Sequence, residues 1–129
     1  MKRILITGVS GYIGGKVAHA LATHERVDTL VGIDIRAPQD PPARLTFVPH
    51  DVRTPMADCF RRHAIDTVIH AAYVLPPLHD RALMEDINVA GTRNVIAACQ
   101  QAGVDHLLYT SSATAYGFHP DNEIPLTED

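Results

Sequence analysis

The stretch Arg3-Ile4-Leu5-Ile6-Thr7-Gly8-Val9-Ser10-Gly11-Tyr12-Ile13-Gly14-Gly15 constrains this chain more than any other. An apolar run, Ile4 to Ile6, ends at Thr7 and meets glycines at 8, 11 and 14; a helical pattern follows through Val17, Ala18 and Leu21. Strand, glycine turn and helix in that order are where a dinucleotide sets its pyrophosphate. Gly8 permits the tight turn off the strand, Gly11 lets backbone approach the phosphates, and Gly14 lets the helix lie close against the strand. The helix start adds unpaired N–H groups and the positive end of its dipole. The bland alternative, on these residues alone, is a plain turn between strand and helix. A P-loop is the competing phosphate site, and Gly15-Lys16 looks like its end. That motif needs Gly at position 10 and Ser or Thr at position 17, where the chain has Ser10 and Val17. The P-loop reading fails twice.

A length of 129 residues suits one domain with a real core. The net charge of −4 gives no reason to expect nucleic acid or an anionic membrane as partner. No apolar run approaches the roughly 20 residues that span a bilayer, and no signal-peptide pattern precedes the first strand. The expectation is a cytoplasmic protein. Cys59 and Cys99 fall in helical patterns and read as a reduced pair. The eight histidines show no ligand spacing such as His-Glu-x-x-His, so no metal is expected.

The spacing Gly-x-x-Gly-x-x-Gly, preceded by Thr7 and containing Tyr12-Ile13-Gly14, resembles the extended branch of the short-chain dehydrogenase/reductase superfamily. That branch holds nucleotide-sugar epimerases, dehydratases and reductases. The resemblance implies a Rossmann-type α/β fold: a doubly wound parallel sheet of strand order 3-2-1-4-5 in three αβα layers. It implies NAD or NADP across the carboxyl ends of the strands, with Gly8, Gly11, Tyr12, Ile13 and Gly14 serving the pyrophosphate.

The rest of the chain follows that plan. After a first helix over Tyr12–Thr23, Val27 to Ile33 reads as a buried strand ending at Asp34. A carboxylate there accepts hydrogen bonds from a ribose diol and repels a 2′-phosphate, which favours NAD over NADP. Ile35 and Arg36 flank the same site, and an arginine at 36 is the residue that a 2′-phosphate could pair with. A turn-forming aspartate is the alternative role for Asp34. Ala37–Arg44, with three prolines, reads as an irregular loop, and Leu45–Val48 as a third strand leading to Asp51-Val52. The resemblance places Asp51 and Val52 against the adenine; otherwise Asp51 is a loop residue.

Thr54-Pro55 reads as an N-cap and first helical residue, with Met56, Cys59 and Phe60 as the apolar side of a short helix to about His63. Asp66–Ala72 reads as a fourth strand, buried on both faces, and Tyr73–Leu78 as a loop. His70-Ala71-Ala72 matches a family segment that lines the cofactor, with Tyr73 beside it. His70 itself reads as a satisfied structural histidine before a proton carrier. A long helix is expected from His79 to Ala102, with Gly103 as C-cap. Asn88 within it needs a partner if buried; the resemblance gives it a role in positioning the cofactor or supporting catalysis, against a solvent-facing alternative.

The fifth strand, Asp105–Thr110, delivers Ser111-Ser112-Ala113-Thr114-Ala115-Tyr116-Gly117. Strand-end hydroxyls in a parallel sheet face the ligand crevice. The resemblance places Thr110 and Ser111 by the cofactor and makes Ser112 the catalytic hydroxyl, which holds a sugar hydroxyl or keto oxygen. Plain strand-end polar residues are the alternative. The family's base is the Tyr of a Tyr-x-x-x-Lys pair, whose cation lowers the phenol's pKa. None of Tyr12, Tyr73, Tyr109 and Tyr116 has a lysine four residues on; the lysines are Lys2 and Lys16.

The expectation is therefore the NAD-binding half of a nucleotide-sugar epimerase or dehydratase, truncated before its base and substrate domain and inactive alone. A homodimer is possible for the intact protein. A reductase or dehydrogenase acting on another small carbonyl substrate, or a non-enzymic nucleotide sensor, are the alternatives.

Overall fold

The computed structural model describes residues 1–74, 80–117 and 119–122. Five strands, β1 (Lys2–Thr7), β2 (Val27–Asp34), β3 (Leu45–Pro49), β4 (Thr67–His70) and β5 (His106–Tyr109), form one sheet. Their order is β3-β2-β1-β4-β5, and every neighbouring pair is parallel. This is the expected order. The main helices are α1 (Tyr12–Ala22), α2 (Ala57–Arg62), α3 (Arg81–Glu85) and α4 (Gly91–Ala102).

The period-two geometry of β1 divides it between two cores. Ile4 and Ile6 pack with Ala18 and Ala22 of α1 and with Leu30 of β2. Leu5 faces the opposite layer with Val31, Ile33 and Val68, against Met56, Phe60 of α2 and Val95, Ala98 of α4. Helices on both faces are what a parallel sheet requires. Gly32 contributes space: a Cβ there would lie 2.7 Å from Val9 Cγ2, so the β1–α1 turn can drop Val9 onto β2.

Several boundaries differ from the sequence reading. β4 ends at His70, and Ala71 and Ala72 lie beyond it, Ala71 N still donating to Thr7 O at 3.2 Å. β5 is an edge strand whose four residues are all exposed. Thr54 does not cap α2. Its hydroxyl donates to Asp51 O at 2.8 Å, and the helix starts at Ala57 behind Met56. The long helix is not uniform either. Asp80 caps α3 by accepting from Leu83 N at 3.0 Å, and a π-helical turn over Asp86–Ala90 separates α3 from α4. Gly103 ends α4 in the left-handed conformation at φ 71°, as expected. Cys59 and Cys99 are free thiols, and burial pushes both up from the usual cysteine range. Among the described residues no helix is long and apolar enough to cross a membrane. Pro76-Pro77, the helix start at His79 and the segment after Asn122 lie outside the described residues.

Candidate functional site

The glycine turn is built as a cradle. Gly8 sits at φ +69°, a region that a Cβ disfavours, and its N–H donates to Ile33 O at 2.9 Å. Gly11 N closes the turn on Gly8 O at 3.0 Å. A Cβ on Gly14 would occupy the place of the Gly8 carbonyl, so α1 reaches the strand only because that residue has none. Gly11 is the N-cap of α1 and no side chain caps the helix, which leaves its first-turn N–H groups for a ligand.

Two lobes of one crevice open from this turn, joined where both are lined by Gly11, Ala71 and Tyr73. The outer lobe, about 190 Å³, runs over the ends of β1, β2 and β4. Asp34 stands in it, pre-oriented by two amides: Oδ2 accepts from Ser10 N at 3.1 Å and Oδ1 from Arg36 N at 3.4 Å. Ile35 lines the lobe. Arg36 does not; what it supplies is backbone, its carbonyl accepting from Ser10 Oγ at 2.6 Å.

Asp51 and Val52 line the outer lobe as expected. Asp51 is gripped by Arg53, whose Nη2 lies 2.6 Å from Oδ2 and whose Nε lies 3.0 Å from Oδ1. The Arg53 hydrogen bond holds the Asp51 carboxyl below the usual carboxylate range. The same guanidinium reaches Asp86 Oδ2 at 3.2 Å, tying the lobe to the π turn. Val52 is buried against Gly91, where a Cβ would meet Val52 Cγ2 at 2.8 Å. Asn94 fixes this loop from α4 by donating to Val52 O at 2.7 Å and to Thr54 O. Arg53→Met is expected to return the Asp51 carboxyl toward its ordinary range and weaken nucleotide binding about two- to fivefold, as exposed ion pairs do. Titration at low and high salt checks it: the loss should shrink as salt rises.

The inner lobe, about 660 Å³, lies over β4 and β5. Tyr12 and Ile13, expected at the pyrophosphate, line it together with Thr110, Ser111 and Ser112. Thr110 Oγ1 donates to His70 O at 3.2 Å. Ser112 caps the 3-10 turn Ala113–Tyr116; its Oγ accepts from Thr114 N at 3.2 Å and lies 2.8 Å from Thr114 Oγ1. Ala72 lines the outer lobe only.

Three expected residues lie behind the crevice wall. Gly14 is buried beneath the turn. His70 is 1% exposed with both ring nitrogens bonded to protein hydroxyls, so it does not line the crevice. Asn88 is neither solvent-facing nor lining: its amide clamps Val74, accepting from the N–H at 2.8 Å and donating to the carbonyl at 2.9 Å. Sequence reading missed His50, Arg53, Val74 and Ile87 in the outer lobe and Tyr109, Thr114 and Ala115 in the inner one. Each lies within three residues of one that was named, as His50 and Arg53 flank Asp51 and Val52.

Comparison with known proteins gives the same picture. The sequence pattern of the NAD dependent epimerase/dehydratase family matches residues 4–129. A UDP-glucose 4-epimerase from Klebsiella pneumoniae is 34% identical, covering 98% of this chain and 99% of its own length. The solved UDP-glucose-4-epimerase of Stenotrophomonas maltophila, with bound NAD and formylated UDP-arabinopyranose, superposes with a TM-score of 0.84. It is 29% identical over 99% of this chain and 41% of that one. An L-threonine dehydrogenase from Phytophthora infestans superposes at 0.76, 30% identical over 86% of this chain and 36% of that one. Several curated relatives are much longer, and the chain spans 36% of their length. A pattern that matches nearly the whole chain, on the expected sheet and with the glycine cradle in place, shows that the chain belongs to the NAD dependent epimerase/dehydratase family.

Proposed function

We propose that this chain is the NAD-binding part of a nucleotide-sugar epimerase or dehydratase. The observation that carries the reading is a pair of adjoining lobes, sharing Gly11, Ala71 and Tyr73, that hold the glycine cradle and the Asp34 carboxylate in one and the Ser112 hydroxyl in the other. The dinucleotide fits what is there: a turn that any Cβ would fill, uncapped helix N–H groups for the pyrophosphate and a carboxylate for the ribose diol. Gly8, Gly11, Tyr12 and Ile13 hold the pyrophosphate, Asp34 and Ile35 the ribose, and Asp51 and Val52 the adenine. Ala71, Tyr73, Thr110 and Ser111 line the inner half, and Ala72 the outer. NAD, when bound, supplies reversible acceptance of a hydride, so that a sugar can be oxidised and reduced again without net redox change. Ser112 donates to the sugar oxygen on which charge develops. The 129 residues hold no Tyr-x-x-x-Lys, so the proton-transferring base is not assigned to them and the chain alone is inactive.

Bound NAD with a UDP-sugar in the Stenotrophomonas structure supports this reading. The likeness to an L-threonine dehydrogenase favours a second one, a dehydrogenase of a non-sugar alcohol with exchangeable cofactor. Incubation of the complete protein with UDP-glucose separates them. The first reading expects interconversion at the sugar with no net NADH. Stoichiometric NADH from L-threonine, with no reaction of UDP-sugars, overturns it. The ribose assignment has its own test on this chain: Asp34→Asn should weaken NAD binding about tenfold and leave NADP nearly unchanged. Tighter binding of NADP than NAD by the unmodified chain would contradict it.

A further inference from the structure

Directly beneath the crevice lies a polar cluster that the proposed chemistry does not use. Thr7, at the end of β1, is fully buried, and His70, at the end of β4, is 1% exposed. His70 Nδ1 is 2.6 Å from Thr7 Oγ1, and Nε2 is 2.9 Å from Thr92 Oγ1. The proton directions follow from counting. Thr92 has one hydroxyl proton, and it goes to Asn88 O at 2.6 Å. Thr92 must therefore accept from His70, so Nε2 carries the ring proton and Nδ1 is bare. Thr7 then donates to Nδ1, and its oxygen accepts from Ala72 N at 3.2 Å.

The chain of bonds thus starts at Ala72 and ends at Asn88, whose side chain in turn clamps both backbone groups of Val74. Ala72 and Val74 bracket Tyr73, the half-exposed residue that lines both lobes. The hydroxyl bond from Thr92 of α4 back to Asn88 O also reaches into the π turn, where the backbone ladder is widened and side-chain competition bends helices. The geometry points to His70, as a neutral imidazole with its proton on Nε2, as a positioning residue: it joins the sheet to the π turn and so sets the Ala72–Val74 segment on which the two lobes meet. Its consequence for nucleotide binding rests on the proposed function; the hydrogen-bond circuit does not.

Burial lowers the His70 pKa to about 4, which agrees with a ring held neutral. The titratable side chain packed on it is Tyr109 of β5, ring centroid 5.5 Å away, and none of its hydrogen-bond partners is charged.

Long-range ¹H–¹⁵N correlation on the 129-residue chain reads the tautomer directly. The expected signature is a bare Nδ1 and a protonated Nε2 for His70, unchanged from pH 8 to pH 6. A proton on Nδ1, or a doubly protonated ring, overturns the proposal. Thr92→Val should then shift the Asn88 side-chain amide and the Tyr73 resonances and weaken NAD binding about two- to tenfold, with Thr92→Ser restoring all three. Unmoved Asn88 and Tyr73 resonances in Thr92→Val would also overturn it. Should Thr92→Val fail to fold, the tautomer in the unmodified chain still decides. If the tautomer and the shifts are as expected but neither NAD nor NADP binds, the nucleotide reading fails and the positioning role stands.

Discussion

Gly8→Ala is expected to abolish measurable NAD binding and to destabilise the chain. The added Cβ would lie 2.7 Å from both Ala72 Cα and Ala72 N and 2.8 Å from Ala71 C, all backbone atoms at the β1–β4 joint. No side-chain rotation relieves such contacts. The left-handed φ of +69° adds its own penalty for a residue with a Cβ. Together the strain and the overpacking cost about 2–4 kcal/mol. Moving the turn to relieve them displaces the amides meant for the pyrophosphate, so affinity should fall at least a hundredfold, or about 2.7 kcal/mol. Urea unfolding and calorimetric titration measure the two effects. Gly15→Ala is the control, seven residues further on within α1. Its Cβ has only Val9 O at 3.5 Å, and it should leave binding intact while stabilising α1 by up to about 1 kcal/mol. Wild-type affinity in Gly8→Ala would contradict the cradle.

Mild acid should destabilise the chain through His70. In the unfolded chain this histidine titrates near 6.5, and in the folded one burial lowers that to about 4. Below pH 6.5 the unfolded state therefore takes up a proton that the folded state refuses. The stability tied to neutral His70 is whole above pH 6.5 and is lost as pH falls toward 4. Linkage puts the loss at about 2 kcal/mol by pH 5 and about 3 kcal/mol by pH 4. Asp51, whose carboxyl Arg53 holds below 3.8, also loses stability in acid, but in a lower window, so the two separate on the pH axis. Comparing unfolding free energies at pH 7 and pH 5 for the unmodified chain and for His70→Gln isolates the contribution. The variant should lose most of the difference. An equal drop in both would place the acid sensitivity elsewhere.

The parallel sheet was legible because the apolar runs at Ile4–Ile6, Val27–Ile33 and Thr67–His70 suit strands covered on both faces, while its strand order came from the family resemblance of the glycine turn. Gly103 was legible as a C-cap because only a residue without Cβ ends a helix in that conformation cheaply. The π turn was not. Apolar periodicity averages over a whole helix, whereas the bonds that accompany Asp86–Ala90 join side chains to distant backbone: Thr92 to Asn88 O and Asn88 to Val74, fourteen residues away. His70 holds to its reading as a satisfied structural histidine, although its segment was also expected to line the cofactor. Its sequence neighbours Ala71 and Ala72 do line the crevice, but its ring is claimed by Thr7, 63 residues away, and Thr92, 22 residues away. The N-cap expected at Thr54 failed because its hydroxyl already closes the Asp51 turn. Local patterns give elements; side chains that bridge elements decide which atoms a ligand can reach.

The claim on which the rest depends is that a dinucleotide lies along both lobes of the crevice. The most direct test is an amide chemical-shift titration of the ¹⁵N-labelled chain with NAD. Saturable shifts are expected at Gly8, Gly11, Asp34 and Val52 in the outer lobe and at Ala71, Tyr73 and Thr110 toward the inner one, with the far ends of the strands, at Lys2 and Val27, unmoved. No saturable shift at millimolar NAD, or shifts that avoid the glycine turn, would contradict it.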